Sequence, residues 1–265
     1  MTLPRRIYPT LRAMAPWIGG AVALSLGGLL VVRHCVPMAV LRESNDAVGN
    51  YLQTLGTIYA VLLAFVVFVV WQQFNETRAH VESEANELVD LIRVVKGLSP
   101  VLSVPFLEQA GSYVGTVLDR EWRAMATGDE AALEHGGRVL QAMWDLLVAY
   151  EPCSECHKSL YEEGLARFND VSDRRSSRLS SSRLRIPLAL RLLLYSGAAM
   201  TVGSMYLLAV ERVELHAIIT AALAGAISHV LYVVSDLDNC FAGDWRVERA
   251  PFERARRYLA DLQPG

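Results

Sequence analysis

Tyr51–Trp71 reads YLQTLGTIYAVLLAFVVFVVW, and how this stretch continues decides the fold. Val61–Val70 contains no polar atom beyond the backbone. From Gln72 on, the apolar residues thin into a helical stripe of Val81, Ala85, Leu88, Leu91, Ile92 and Val95. Glu76, Arg78, Glu82, Glu84, Glu87, Asp90 and Arg93 lie between them. Neither Gly nor Pro interrupts Thr57–Lys96, so nothing obliges the helix to stop where the apolar run ends. At about 1.5 Å per residue, about 45 residues make a helix of roughly 65 Å. That is about twice a hydrocarbon core of ~30 Å. The pattern predicts a transmembrane helix that runs on into water as part of a soluble bundle.

The composition supports a membrane protein. The chain has 265 residues, 52% of them hydrophobic, and these are gathered in blocks. Four blocks are long enough to span: 15–32, 51–71, 188–210 and 217–234. The last two are separated only by Glu211–His216, which predicts an antiparallel hairpin. The first follows Arg5, Arg6 and Arg12 like a signal peptide, but no small-x-small cleavage site follows Val32, so it reads as a retained anchor. The expectation is an all-α protein with transmembrane hairpins at 1–71 and 186–235. A helical bundle with a basic linker at 72–185 is inserted between spans two and three, and 236–265 forms a tail. Arg5, Arg6, Arg12, Arg174, Arg175, Arg178, Arg183, Arg185, Arg246, Arg249, Arg254, Arg256 and Arg257 all fall on one side of that topology. The other side has Arg33, Arg42 and Arg212, so the positive-inside rule places both termini and the middle segment in the cytoplasm of an inner-membrane protein.

Along the chain, Pro37 breaks the first loop, and Ser44, Asn45 or Asp46 can cap the second span. Asn50, Thr54, Thr57, Val61, Phe65, Phe68 and Gln72 follow at three- and four-residue steps and so share one helix face. It is polar at both ends and apolar in the middle. Two readings stand: helix packing with satisfied hydroxyls, or a pore lining with a hydrophobic constriction. Gly97, Ser99, Pro100 and Pro105 mark a turn before a helix over 106–125, and Gly128-Asp129 precede another over 130–150. Cys153-Ser154-Glu155-Cys156-His157 has the string that attaches c-type haem, but haem is attached on the far side of the membrane. Cys153, Cys156 and His157 remain as candidates for a metal or redox site, with His135 as a fourth ligand if the fold brings it near, or as an incidental loop.

Val171–Arg185, rich in Ser and Arg, reads as a solvated linker that attracts anionic lipid headgroups. His229 in the fourth span is a candidate functional residue by its place in an apolar helix, and a satisfied structural histidine is the favoured alternative. Asp236, Asp238 and Asp244 are a candidate cation site whose spacing departs from an EF-hand, and a capped helix end with a turn at Gly243 is the favoured alternative. Ala250–Leu262 is a short basic amphipathic helix. With no Gly-rich phosphate loop and no nucleophile–base pair, neither an enzyme, a cofactor nor a nucleic-acid partner is expected.

Several stretches together resemble the bacterial bestrophin-like family. They are Gly56–Trp71, Val81–Arg93, the Tyr113…Val117…Glu121-Trp122…Met125 pattern, Arg175…Arg178-Leu179…Ile186-Pro187, and Leu237-Asp238-Asn239-Cys240-Phe241-Ala242-Gly243. They cover about residues 45–250, and one departure is Cys240, where a Pro is expected before the Phe. The resemblance implies a cyclic homo-oligomer, pentameric as in bestrophins, conducting anions such as chloride. Its second span would line the pore, with a neck near Val61, Phe65 and Phe68. The acidic calcium clasp of bestrophins has no close match here. A non-conducting membrane sensor or scaffold, acting through the helical bundle, is the rival expectation.

Overall fold

The computed structural model describes residues 7–262; Arg5 and Arg6 lie outside the described residues. Every regular element among them is helical. In order they are α1 (Ile7–Cys35), α2 (Met38–Glu43), α3 (Asn45–Lys96), α4 (Pro100–Thr116), a π-helical turn (Val117–Glu121) and α5 (Trp122–Thr127). Then come α6 (Glu130–Val148), α7 (Glu155–Arg183), α8 (Leu188–Met205), α9 (Val213–Leu237) and α10 (Ala250–Leu262). The expected continuation of the second span is present: α3 is a single helix of 52 residues. Among the described residues, four helices are long and apolar enough to cross a membrane: α1 from Arg12, α3, α8 and α9.

The chain divides into two compact units. The first takes the described residues up to Trp71 and Arg185–Asp238. In it α1 lies along α9, and α8 packs against both. Tyr59 of α3 is buried and donates its hydroxyl to the Leu194 carbonyl at 3.1 Å. Its ring lies so close to α8 that a Cβ on Gly197 would stand 2.5 Å from it, which is why that position has no side chain. The turns at the far end are joined by polar contacts. Arg33 donates to the Val210 carbonyl at 2.9 Å and meets His216 Nδ1 at 3.2 Å, and Arg42 pairs with Glu211 at 2.6 Å. Asn45, one of the three candidate caps, is the first residue of α3, and its side chain accepts from the Ala209 N–H at 2.9 Å.

The apolar block read as 188–210 stays helical only to Met205. His216 Nε2 lies 2.8 Å from the Met205 carbonyl and satisfies it at the helix end. His216 is therefore not a connecting residue but a fully buried member of α9.

The second unit holds Gln72–Leu184 and Asn239–Gly265, described to Leu262. Its core takes the expected stripe of α3 together with Phe106, Tyr113, Val114 and Val117 before the π turn ends, then Met143, Leu147, Val171 and Phe252. Three segments differ from the sequence expectation. First, α4 begins at Pro100 rather than after Pro105. Ser99 accepts from the Val101 N–H at 3.4 Å, and a proline at the first helical position forfeits no hydrogen bond. Buried Leu102 and Phe106 hold the turn around Pro105.

Second, the segment 171–185 is no linker: Ser154 accepts from the His157 N–H at 3.2 Å and starts a 29-residue helix that ends at Arg183. Third, the tail, with its expected helix at 250–262, is packed into this unit. Cys240, Phe241, Phe252, Ala255 and Leu259 enter the core, with the Phe241 ring edge-on to Trp122 at 5.5 Å. The reversal before α10 uses Gly243 at φ 74°, as the turn reading expects.

Candidate functional site

The seven residues of the α3 row all project away from the packed side of their helix. Asn50, Thr54, Thr57 and Gln72 are exposed, and Val61, Phe65 and Phe68 keep 66%, 64% and 61% of their surface accessible. Tyr59, Val66 and Val70 on the other side are buried. Helix periodicity explains the division, since 59, 66 and 70 recur on the face opposite 61, 65 and 68. The row leaves three large apolar side chains uncovered in a single chain, a pattern that calls for a lipid, a second subunit or a dewetted channel. Thr54 and Thr57 donate to the carbonyls of Asn50 and Gln53, at 3.0 and 2.8 Å, so their hydroxyl hydrogens are satisfied locally while their oxygens still accept. Gln72 donates to Glu76 at 2.9 Å and closes the row with a carboxylate.

Sequence reasoning missed a second constellation, inside the bundle. Arg178 of α7 is wholly buried. Its Nε donates to Glu84 Oε2 at 2.6 Å, and Nη2 donates to Glu84 Oε1 at 3.1 Å and to Glu121 Oε2 at 2.6 Å. Tyr113 donates its hydroxyl to Glu84 at 2.6 Å, and Arg175 bridges Glu121 and the Leu133 carbonyl. Two carboxylates thus meet two guanidinium groups, and the cluster is neutral as a whole. The π turn carries Glu121 into it, and a Cβ on Gly136 would stand 1.9 Å from the Glu121 carboxylate, so that position too must lack a side chain. Burial and the adjacent Glu84 carboxylate push the Tyr113 phenol well above its ordinary range. Burial pulls the Arg178 guanidinium down, but the charges of Glu84 and Glu121 outweigh it and raise it further.

This cluster left a trace in the sequence. Glu84 stands three residues after Val81 and four before Leu88, and Glu121 stands four after Val117 and four before Met125. Arg178 is seven after Val171. Charged residues inside an apolar stripe are the signal, although pairing across helices is not encoded in spacing.

The remaining candidates are dispersed. Cys153 and Cys156 are exposed thiols at the start of α7, with Cys153 Sγ 3.1 Å from His157 Nδ1. His135 instead borders a cavity of about 570 Å³ beside Arg120, Arg123 and Arg138. Among the described residues no three His, Cys, Asp or Glu side chains are gathered as a metal ion would require. Asp238 is buried and committed: it accepts from the Ile186 N–H and pairs with Arg191, both at 2.7 Å. It ends α9, so the helix-end reading describes it better than a shared cation site. His229, expected to be satisfied within the packing, is exposed, because the inward face of α9 runs through Ala224, Ile227, Ser228 and Leu231. Three of the five arginines expected to face lipid headgroups, Arg175, Arg178 and Arg183, are engaged with Glu121, Glu84 and Glu130 inside the bundle unit.

An all-helical chain with membrane-length helices and a charge-centred helical bundle defines a class of membrane proteins. Within it, the family model for the bestrophin-like domain matches residues 19–252, and the chain belongs to that family. Its fold is similar to the crystal structure of a bacterial bestrophin homologue from Klebsiella pneumoniae. The two are 11% identical, with a TM-score of 0.72 over 93% of this chain and 100% of that one. Two point variants of the homologue give TM-scores of 0.72 and 0.68, each over 92% of this chain and 99% and 98% of theirs, again at 11% identity. At that identity the likeness is one of fold. No curated protein matches the chain.

Proposed function

We propose that this protein is an ion channel subunit, in which α3 from several copies surrounds a common axis and Val61, Phe65 and Phe68 form its apolar constriction. The observation that carries the reading is the uncovered apolar centre of α3, on a helix anchored from its other side through Tyr59. A ring of such faces brings the side chains together across a narrow, poorly wetted path, and polar residues at either end receive the ion. Closed cyclic assembly covers the surface that the single chain leaves bare. The arginine distribution supports a cytoplasmic bundle and cytoplasmic termini in the inner membrane. Family membership makes anions, chloride first, the ions to test.

The test is flux through liposomes that carry the purified full-length protein, with Phe65→Ala and Phe68→Ala beside the parent. Shortening either ring should widen the constriction and raise the flux several-fold. Liposomes as tight as empty ones for both anions and cations, in the parent and in both variants, would remove the channel reading. Native mass spectrometry of the same sample should give a closed ring of identical subunits; a monomer would remove the shared axis.

A further inference from the structure

The bundle carries a thiol pair that the proposed conduction does not use. Cys153 and Cys156 are both exposed and unbonded, with Ser154 and Glu155 between them, at the start of a 29-residue helix. Ser154 caps that helix, which places Cys156 and His157 in its first turn and Cys153 just before it. His157 turns its ring back onto Cys153, with Nδ1 at 3.1 Å from Sγ, and Tyr150 stands 3.5 Å from the same nitrogen. The contact gives the Cys153 thiol a neighbouring base, the arrangement that activates a cysteine nucleophile. The other two cysteines lack this setting: Cys240 is buried in the core and Cys35 ends α1.

From this geometry we propose that Cys153 and Cys156 form a reversible dithiol–disulfide switch, with Cys153 as the attacking thiol and His157 as its proton acceptor. The oxidant is a low-molecular-weight disulfide. His157 Nδ1 takes the proton of Cys153, and the thiolate attacks one sulfur of the disulfide. The other sulfur leaves as a thiol, taking the proton from His157, and a mixed disulfide remains on Cys153. Cys156 then attacks the Cys153 sulfur, the Cys153–Cys156 bond forms, and the second small thiol leaves with the proton lost by Cys156. The chain gives up two protons and two electrons, and one small disulfide becomes two thiols. The step is independent of conduction, so it stands or falls apart from the channel reading.

The experiment uses the full chain in detergent, with Cys35→Ser to remove the other exposed thiol, and oxidised glutathione as the probe. Intact mass should fall by about 2 Da, the two hydrogens lost on closing one disulfide, and should recover with excess reduced glutathione. Cys156→Ser should stop at a stable glutathione adduct on Cys153. The rate of Cys153 alkylation in Cys156→Ser should exceed that of Cys156 in Cys153→Ser several-fold, because the His157 imidazole lies against the Cys153 sulfur. His157→Gln should abolish that difference while leaving the protein folded by circular dichroism. Glutathione adducts on both cysteines without ring closure, or equal alkylation rates in the two single-thiol variants, would overturn the proposal.

Discussion

Replacing Arg178 by Met tests whether the charge cluster organises the bundle. The guanidinium is fully buried and supplies three hydrogen bonds to two carboxylates, at 2.6, 3.1 and 2.6 Å. Methionine fills most of the volume but leaves Glu84 with only the Tyr113 hydroxyl and Glu121 with Arg175. Breaking a buried ion pair from one side costs about 3–5 kcal/mol, because a charge stays behind without its counter-charge. The surviving partners offset part of this, so a loss of about 3 kcal/mol is expected. For a unit of this size that lowers Tm by roughly 6–12 °C. The assay is thermal unfolding of the full chain in detergent, followed by circular dichroism. Adding Glu84→Gln removes the stranded charge and leaves the Arg175–Glu121 pair intact and neutral. The double variant should therefore regain at least about half of the loss, a coupling of the kind double-mutant cycles detect between contacting residues. A single variant that loses under about 1 kcal/mol, or a double variant that loses the sum of the two singles, would refute the reasoning.

Two further outcomes follow from other contacts. Tyr113 stays protonated in the fold to a pH well above its value in the unfolded chain, so its stabilising contribution is complete below about pH 10. It is lost as the pH rises beyond that, while the unfolded chain alone sheds the proton. Tyr113→Phe should flatten the alkaline fall in denaturation midpoint, and an unchanged slope would assign that fall to other groups. Gly197→Ala places a methyl 2.5 Å from the Tyr59 ring and should cost about 1–3 kcal/mol through overpacking between α3 and α8. Thermal unfolding of the purified protein reads this directly, and an unshifted midpoint would mean that the two helices separate freely.

The large features were legible because they rest on period and length. An apolar run that changes into a three-four stripe without Gly or Pro can only be one long helix, and α3 is one. The outward row from Asn50 to Gln72 was visible for the same reason. What stayed hidden is built from polar residues. Residues 171–185 read as a linker because reading by hydropathy ignores a buried face made of Arg178, Ser181 and Ser182 beside Val171 and Leu179, with Arg175 part-buried at its edge. The amphipathic character of 250–262 was clear, but sequence could not say what would cover Phe252 and Leu259. The end of α8 was misread because Leu207–Val210 are as apolar as the helix before them. A histidine eleven residues after Met205, rather than a change of composition, marks the stop.

The polar face of α7 also fixes where that helix sits. A slip of one turn in one direction would put Ser182 in the place of Arg178 and Leu179 in the place of Arg175. Glu84 and Glu121 would then both be buried without a cation, each at a cost of about 3–5 kcal/mol. The opposite slip would bring Arg174 to the place of Arg178 but Val171 to that of Arg175, so one charge would still be stranded. An apolar seam would tolerate either slip far better, since Leu, Val and Met exchange places at small cost. Only the observed register pairs both carboxylates, gives Leu133 its guanidinium contact and leaves room at Gly136. The Arg178→Met, Glu84→Gln double variant separates the two roles of the cluster. If charge sets register, this variant should regain melting temperature yet lose amide-exchange protection along α7, whereas full protection would make the cluster a matter of stability alone.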